Sequence, residues 1–335
     1  MYFKNRLSIE EKLLIKILLK KEKIIFNDFK NINFDLLIKI ASAHLILPAL
    51  YFNICKKRLD HFLPNDLKKF LKYIFDENVK RNETLKEEIN YLTKLLKTNN
   101  ISHLFTKGAH NIKNKLYNNI GERMIGDIDF LVDVNDLNLA QDLLLKNGYK
   151  NSKVNTKKFW IRNHIPKLIN TKKLFSVEIH HEQLRYFKRR LLPAKELLKL
   201  SNLKETNYLI KLCILNYQVN DYGTSSLSYS YRSIYDYVLL SRRYQIKSDD
   251  LKIREIRNFF LITDSLGVTH KIKKFNLIDK LVLIRFYFKK SSKFYYLIDN
   301  FIINIIKILP KRFLQFLEFI YDKNYRNYIL KKLRI

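Results

Sequence analysis

Where this chain places its glycines constrains its fold more than any other feature. Six glycines and five prolines occur in 335 residues, and four of the glycines, Gly108, Gly121, Gly126 and Gly148, fall between positions 108 and 148. Chain breakers are scarce elsewhere, so the Leu-, Ile- and Lys-rich stretches on either side are free to run as helices. The expected fold class is α+β. A small mixed β-sheet core over 99–185 is flanked by an N-terminal helical region at 1–98 and a C-terminal helical domain at 186–335.

Local signals give that outline its elements. Ser8 and Glu11 make a capping-box pattern ahead of LLIKILLK. A second helix over about 33–55 is expected to kink at Pro48. Pro64 and Asn65 open a third, with Phe70, Ile74, Leu85, Ile89, Leu92 and Leu96 at helical spacing. It runs about 30 residues, or roughly 45 Å. Its middle, DENVKRNET, is polar on all sides, and is either solvated or turned toward a site. ISHLFT (101–106) and MIGDIDFLVDV (124–134) read as strands, with a turn and helix in KGAHNIKNKLYNN between them. LNLAQDLLLKN reads as a helix capped by Asn135 or Asp136 and closed by Gly148. Two strands near 159–169 and 173–181 are expected to form a hairpin about Asn170 and Thr171. Helices follow near 193–201, 206–220, 229–244, 248–263, 277–290, 292–308 and 311–332.

Charge narrows the function classes. The formal net charge is +32, from 64 Lys and Arg against 32 Asp and Glu. Lysine, isoleucine and asparagine are abundant throughout, so compositional bias alone accounts for much of it. The distribution is more telling. Residues 101–150 hold six basic and six acidic side chains, whereas 151–200 hold thirteen and three, and 271–335 hold sixteen and four. A neutral, acid-bearing centre in a basic surround suits a site where carboxylates hold cations and the surround attracts phosphates. The two cysteines, Cys55 and Cys213, lie in apolar helical stretches and are expected to pack in the core unbridged. No Cys/His cluster has zinc spacing, the N-terminus lacks a signal-peptide pattern, and no uncharged apolar run reaches spanning length. The expected class is a cytoplasmic enzyme.

The candidate chemistry lies on two strands. Period-two alternation puts Asp127 and Asp129 on one face, with Ile128 and Phe130 on the other. Two like charges side by side are unfavourable unless a cation lies between them, and magnesium prefers carboxylates together with phosphates. A solvated strand end shows the same pattern. Lys107-Gly108 lies at a strand-to-helix turn nineteen residues before Asp127, where a glycine lets the backbone approach a phosphate or simply makes a tight turn. In VEIHH (177–181), Glu178 and His180 share a face. Glu178 is either the third carboxylate of a two-metal site or a charge that protects a sheet edge.

The run FTKGAHNIKNKLYNNIGERMIGDIDFLVDVNDLNLAQDLLLKNGY resembles the core of a bacterial family of uncharacterised nucleotidyltransferases, within the DNA polymerase β-like superfamily. The matching positions are Lys107, Gly108, Tyr117, Arg123, Asp127, Asp129, Gly148, Tyr149, Glu178 and His180. ASAHLILPALY, ENVKRNETLKEEINYL and YRSIYDYVLL extend the resemblance over most of 35–245. The chain departs from it in two places. Ala109 stands where the superfamily commonly has serine, and residues 212–218 read LCILNYQ where the family often carries histidines.

The resemblance implies the following roles. Asp127 and Asp129 bind two Mg2+ (or Mn2+) ions, and Glu178 binds the catalytic one. Main-chain N–H groups after Gly108 hold the β- and γ-phosphates of an NTP. Lys107 and Arg123 neutralise charge, unless Arg123 serves a structural ion pair. His180 orients Glu178 or packs.

Some features stand outside this scheme. Asp236, one turn after Arg232, either reaches an acceptor pocket or makes a helix-surface ion pair. The stretch FIINIIKILPKRFLQFLEFIY is amphipathic and basic, and is expected chiefly as packed core helices, with an anionic membrane surface as the alternative. Trp160 and the tyrosines are expected in core or half-buried positions. Two functions from different classes fit. One is nucleotidyl transfer to an anionic acceptor, a small molecule or glycan precursor before an RNA end. The other is non-catalytic binding of nucleic acid or membrane through the basic lobes.

Overall fold

The computed structural model describes residues 7–152, 163–199 and 207–333; Trp160 and the first part of the strand expected near 159–169 lie outside them. The sheet has five strands: β1 (His103–Phe105), β2 (Asp127–Val132), β3 (Lys150–Asn151), β4 (Leu168–Ile169) and β5 (Ser176–His180). Their order is β1-β2-β5-β4-β3, with β2 and β5 parallel and the other neighbours antiparallel. The sheet is therefore mixed, and helices lie on both sides of it in sequence. The hairpin between β4 and β5 forms as expected; the two-residue β3 has no counterpart among the expected strands.

The N-terminal helices follow the local signals closely. α1 (Ile9–Leu19) carries the full Ser8–Glu11 capping box. The expected single helix over 33–55 is two, α2 (Phe34–Ala43) and α3 (Leu47–Lys56). Leu45 takes a left-handed φ of 53° between them, and Pro48 stands in the first turn of α3, where its missing N–H costs nothing. Cys55 is exposed rather than packed. It follows buried Ile54 by one residue, about 100° around the helix and off the face of Ala49 and Leu50.

α4 (Asn65–Thr98) is 34 residues long and buries Leu85, Ile89, Leu92 and Leu96. Leu71 is buried in place of Phe70, which is exposed. Its polar middle is solvated on one side, where Glu77, Lys80, Glu83 and Thr84 are exposed, and turned inward on the other. Asn78 and Asn82, one turn apart on one face, are buried and donate to backbone carbonyls of the segment before β2.

Helix α5 (Lys107–Lys113) packs under β1 and β2, and α6 (Leu137–Lys146) ends at Gly148 with φ 84°. The C-terminal region holds α7 (Ala194–Lys199), α8 (Asn207–Leu215), α9 (Gly223–Ser226), α10 (Tyr231–Leu240) and α11 (Arg254–Ser265). α12 (Leu277–Ser291), α13 (Lys293–Tyr321) and α14 (Lys323–Leu333) complete it. A π-helical turn, Asn216–Asn220, follows α8. The break expected near 309–310 is absent: α13 runs through Pro310 to Tyr321. The expected packing of this stretch in the core also fails on one side, because most large apolar residues of α13 are exposed.

His110 ties α5 to β1 and supplies a pH test of the fold. Its Nδ1 lies 3.1 Å from the Phe105 carbonyl, and Asn114 Nδ2 lies 3.1 Å from its Nε2. That pairing suits a neutral ring that donates through Nδ1 and accepts at Nε2. Burial, with nearby Lys113, pushes the imidazole down to about 4. The folded form thus refuses a proton that the unfolded chain accepts near pH 6.5. Stability from this group is complete above pH 6.5 and is lost as pH falls toward 4. Urea unfolding of wild type and His110→Gln should show the wild type losing about 2 kcal/mol more between pH 7 and pH 4.5. Equal losses in the two proteins would contradict the assignment.

Candidate active site

The site is assembled from β2, β5 and the turn between β1 and α5. β2 and β5 pair with Asp129 opposite Glu178, so both carboxylates stand on the same face of the sheet, and His180 follows two residues later. Ile128, Phe130, Val177 and Ile179 fill the other face and are fully buried. This apolar anchoring fixes the alternation, because a one-residue slip would expose every one of these side chains.

Two clamps fix the approach to the aspartates. Asn78 Nδ2 donates to the Gly121 carbonyl at 2.7 Å, and Asn82 Nδ2 donates to the carbonyls of Ile120 and Arg123 at 2.6 and 2.8 Å. Arg81 Nη2 adds a bond to the Ile125 carbonyl at 3.1 Å. Gly121 permits this close approach, since a Cβ there would lie 2.5 Å from Val79 Cγ2. On the other side, Thr106 N–H donates to the Asp129 carbonyl at 2.9 Å, and Lys107 takes a left-handed φ of 52°. Such strain in a non-glycine residue is characteristic of functional turns. Gly108 has a packing reason of its own, because a Cβ would meet Ile125 Cγ1 at 2.8 Å.

The charged groups form one connected cluster. Lys107 Nζ lies 2.7 Å from Asp129 Oδ1, and His180 Nε2 lies 2.8 Å from the same oxygen and 3.5 Å from Glu178 Oε2. Lys167 Nζ bridges Asp127 Oδ2 at 2.6 Å and Glu178 Oε1 at 3.3 Å. Asp129, Glu178 and His180 each offer a ligand atom within 4.8 Å of the others. Asp127 lies at the more exposed edge and joins the cluster through Lys167.

Burial sets the electrostatics. For Asp129, burial works toward protonation, but Lys107 and His180 more than offset it and hold the carboxyl below its usual range. Glu178 is likewise disfavoured as an anion by burial, yet His180, His164 and Lys107 hold it well below the carboxylate range. Burial disfavours the His180 cation, but bonds to Asp129 and Glu178 raise its pKa, and among the described residues its buried Nδ1 has no hydrogen-bond partner. Lys107 is raised against burial by Asp129, Glu178 and Asp127. Three carboxylates thus converge with two ammonium groups and an imidazole, all favouring their charged forms where a shift is evident. The carboxylate oxygens suit a divalent cation, and His180 joins them as a ligand only in its neutral form.

Lys107 also lines an open cleft between α5 and the C-terminal helices α8 and α10. The π-helical turn contributes Asn216 and Tyr217 to the wall, and Asp221 and Arg232 line it as well. Burial and the neighbouring Arg123 both lower the pKa of Arg232. A guanidinium pressed against another cation favours an anion beside it.

The sequence-derived residues therefore divide. Asp127, Asp129, Glu178 and Lys107 come together, and His180 joins them rather than merely packing. Arg123 touches the cleft, but its Nε is bound to both carboxylate oxygens of Asp236, at 3.2 and 3.0 Å. Tyr117 donates to the same carboxylate at 2.9 Å. Asp236 is thus buried in a pair with Arg123, not on the surface with Arg232. Lys167 and Asp221 were not singled out from sequence. No local pattern distinguishes Lys167 among 64 basic residues, and Asp221 follows a π-helical turn that sequence does not announce.

A family model described as an uncharacterised nucleotidyltransferase matches residues 30–257. The chain belongs to this family. The match runs from just before α2 into α11 and takes in the whole sheet and the cleft. This nucleotidyltransferase has no match among curated proteins or solved structures. Among the described residues, no helix is long and apolar enough to cross a membrane.

Proposed function

We propose that the enzyme transfers a nucleoside monophosphate from an NTP to a hydroxyl-bearing acceptor and releases pyrophosphate. The observation that carries this reading is the convergence of Asp129, Glu178 and His180 within 4.8 Å, beside Lys107 at the mouth of a cleft. Asp127, Asp129 and Glu178 would hold the divalent ions, Mg2+ or Mn2+, with His180 beside them orienting Asp129 and Glu178. Such ions would neutralise the triphosphate and lower the pKa of the acceptor hydroxyl.

The remaining roles follow from the protein's own groups. Lys107 and Arg232 present positive charge to the cleft and would receive the phosphates. The Asn78 and Asn82 clamps keep the β2 carboxylates in place while charge moves nearby. In the transfer, the acceptor oxygen bonds to the α-phosphorus, the bond from that phosphorus to the bridging oxygen breaks, and the acceptor proton passes to solvent.

The basic surround favours an anionic acceptor. A small molecule or glycan precursor fits better than an RNA end, because no recognisable RNA-binding motif accompanies the charge. Incubation with each α-labelled NTP, Mg2+ or Mn2+ and a fractionated cell extract tests this. Label is expected in the small-molecule or glycan fraction and lost in Asp127→Asn/Asp129→Asn. Label confined to RNA would overturn the acceptor class, and no label in any fraction would overturn the catalytic reading.

A further inference from the structure

We propose that α12 and α13 form a face that binds the surface of an anionic lipid bilayer. Both helices lie beyond the matched segment 30–257, and the proposal does not rest on the catalytic reading.

The polarity of α13 is inverted relative to a helix that packs on a core. Phe294, Ile298, Phe301, Ile305, Leu309 and Phe316 are spaced by three, four or seven residues and lie on one stripe, all exposed; Phe294 is 74% and Phe301 67% accessible. The inward side is charged. Asp299 is buried and receives Arg285 Nε at 2.7 Å and Lys289 Nζ at 2.9 Å, both from α12. Lys307 lies over the Tyr222 ring at 4.8 Å. α12 shows a matching outer stripe in Leu277, Leu281, Ile284 and Phe288, all exposed. Rows of exposed large apolar residues of this length on a folded chain mark an interaction site.

Charge selects the occupant. Residues 271–335 hold sixteen basic and four acidic side chains. Two of the four acids are consumed internally, Asp279 by Arg257 at 2.6 Å and Asp299 as above. Lys273, Lys274, Lys280, Lys293 and Arg312 are exposed beside or along the stripes. A second copy of this chain would bring two strongly positive faces together. RNA would meet the cations but leave rows of isoleucine and leucine unsatisfied. An anionic bilayer accepts both, with apolar side chains in the interface and cations at the headgroups. α13 spans roughly 44 Å at 1.5 Å per residue and would lie in the membrane plane, since its exposed stripe runs along one side while Asp299 and Ile303 face inward.

Co-sedimentation of the full chain with vesicles tests this. The vesicles are phosphatidylcholine alone or with one quarter phosphatidylglycerol. Binding to the anionic vesicles is expected to be at least about tenfold tighter and to weaken as salt rises from about 0.1 to about 0.5 M. Phe301→Ser/Ile305→Ser should reduce it about tenfold. Both positions are exposed, so circular dichroism and melting should be unchanged. A second variant, Lys273→Gln/Lys274→Gln/Lys280→Gln, should lose the preference for anionic lipid. Equal binding to both vesicle types, or serine variants that bind as the wild type does, would overturn the proposal. So would a dimer in sedimentation analysis that the serine substitutions dissolve.

Discussion

Asp129→Asn is expected to lower nucleotidyl transfer by about a thousandfold, equivalent to roughly 4 kcal/mol of transition-state stabilisation. Asp129 is the hub of the charged cluster, touched by Lys107 at 2.7 Å and His180 at 2.8 Å, and it is buried. Asparagine keeps the size of the side chain and one oxygen. The Asp129 main chain still receives the Thr106 N–H, so the turn carrying Lys107 stays attached to β2. What disappears is the charge that Lys107 and His180 face, and with it the carboxylate available to a divalent cation. Two readouts separate chemistry from folding. Labelled transfer should fall, and the rise in melting temperature produced by Mn2+ with an NTP analogue should vanish, relative to each protein's own unliganded melting point. Transfer within tenfold of wild type would remove Asp129 from the reaction.

How much of this site could be read from the chain depends on the range of the interaction. Asp127 and Asp129 are legible because alternation is local: Ile128 and Phe130 between and beside them demand an apolar face, and both are fully buried. The pairing of Asp129 with Glu178 is not local. Parallel strands are joined by long crossovers, so their register is set by tertiary packing, and the sequence offers Glu178 only as one of two alternatives, a third carboxylate or an edge charge, until the family resemblance favours the first. Tyr117, Arg123 and Asp236 appeared in that resemblance as separate positions. The structure joins them in one buried group, which explains their chemistry without a ligand.

The polar middle of α4 shows a different limit. DENVKRNET reads as solvated or as facing a site; Glu77, Lys80, Glu83 and Thr84 are indeed solvated, while Asn78 and Asn82 do something the sequence does not announce and capture main-chain carbonyls more than thirty-five residues away. Amide side chains that satisfy backbone look the same in sequence as amides that face water. Helix ends were similarly blurred. Pro48 opens α3 instead of kinking a longer helix, and Pro310 does not end α13, where the apolar stripe continues in phase from Leu309 to Phe316.

Arg123→Met is expected to destabilise the protein by about 3–5 kcal/mol, the cost of leaving one member of a buried ion pair unpaired. Arg123 and Asp236 are both buried, and their contact joins the segment entering β2 to α10 across the floor of the cleft. Burial disfavours the Arg123 cation, but Asp236 raises its pKa in spite of that, so the guanidinium is held charged. Methionine would fill the volume and leave the Asp236 carboxylate with Tyr117 as its remaining donor. The double variant Arg123→Met/Asp236→Leu should recover most of the loss in urea unfolding, because neither charge is then stranded. Tyr117 would still have Asn111, whose Nδ2 donates to its hydroxyl at 3.1 Å. The same double variant distinguishes the two roles open to Arg123. If the arginine serves the fold, the recovered protein keeps its stabilisation by Mn2+ and an NTP analogue. If the guanidinium also holds phosphate, stability returns while that stabilisation is lost. Retention is expected, because Nε is already committed to both oxygens of Asp236.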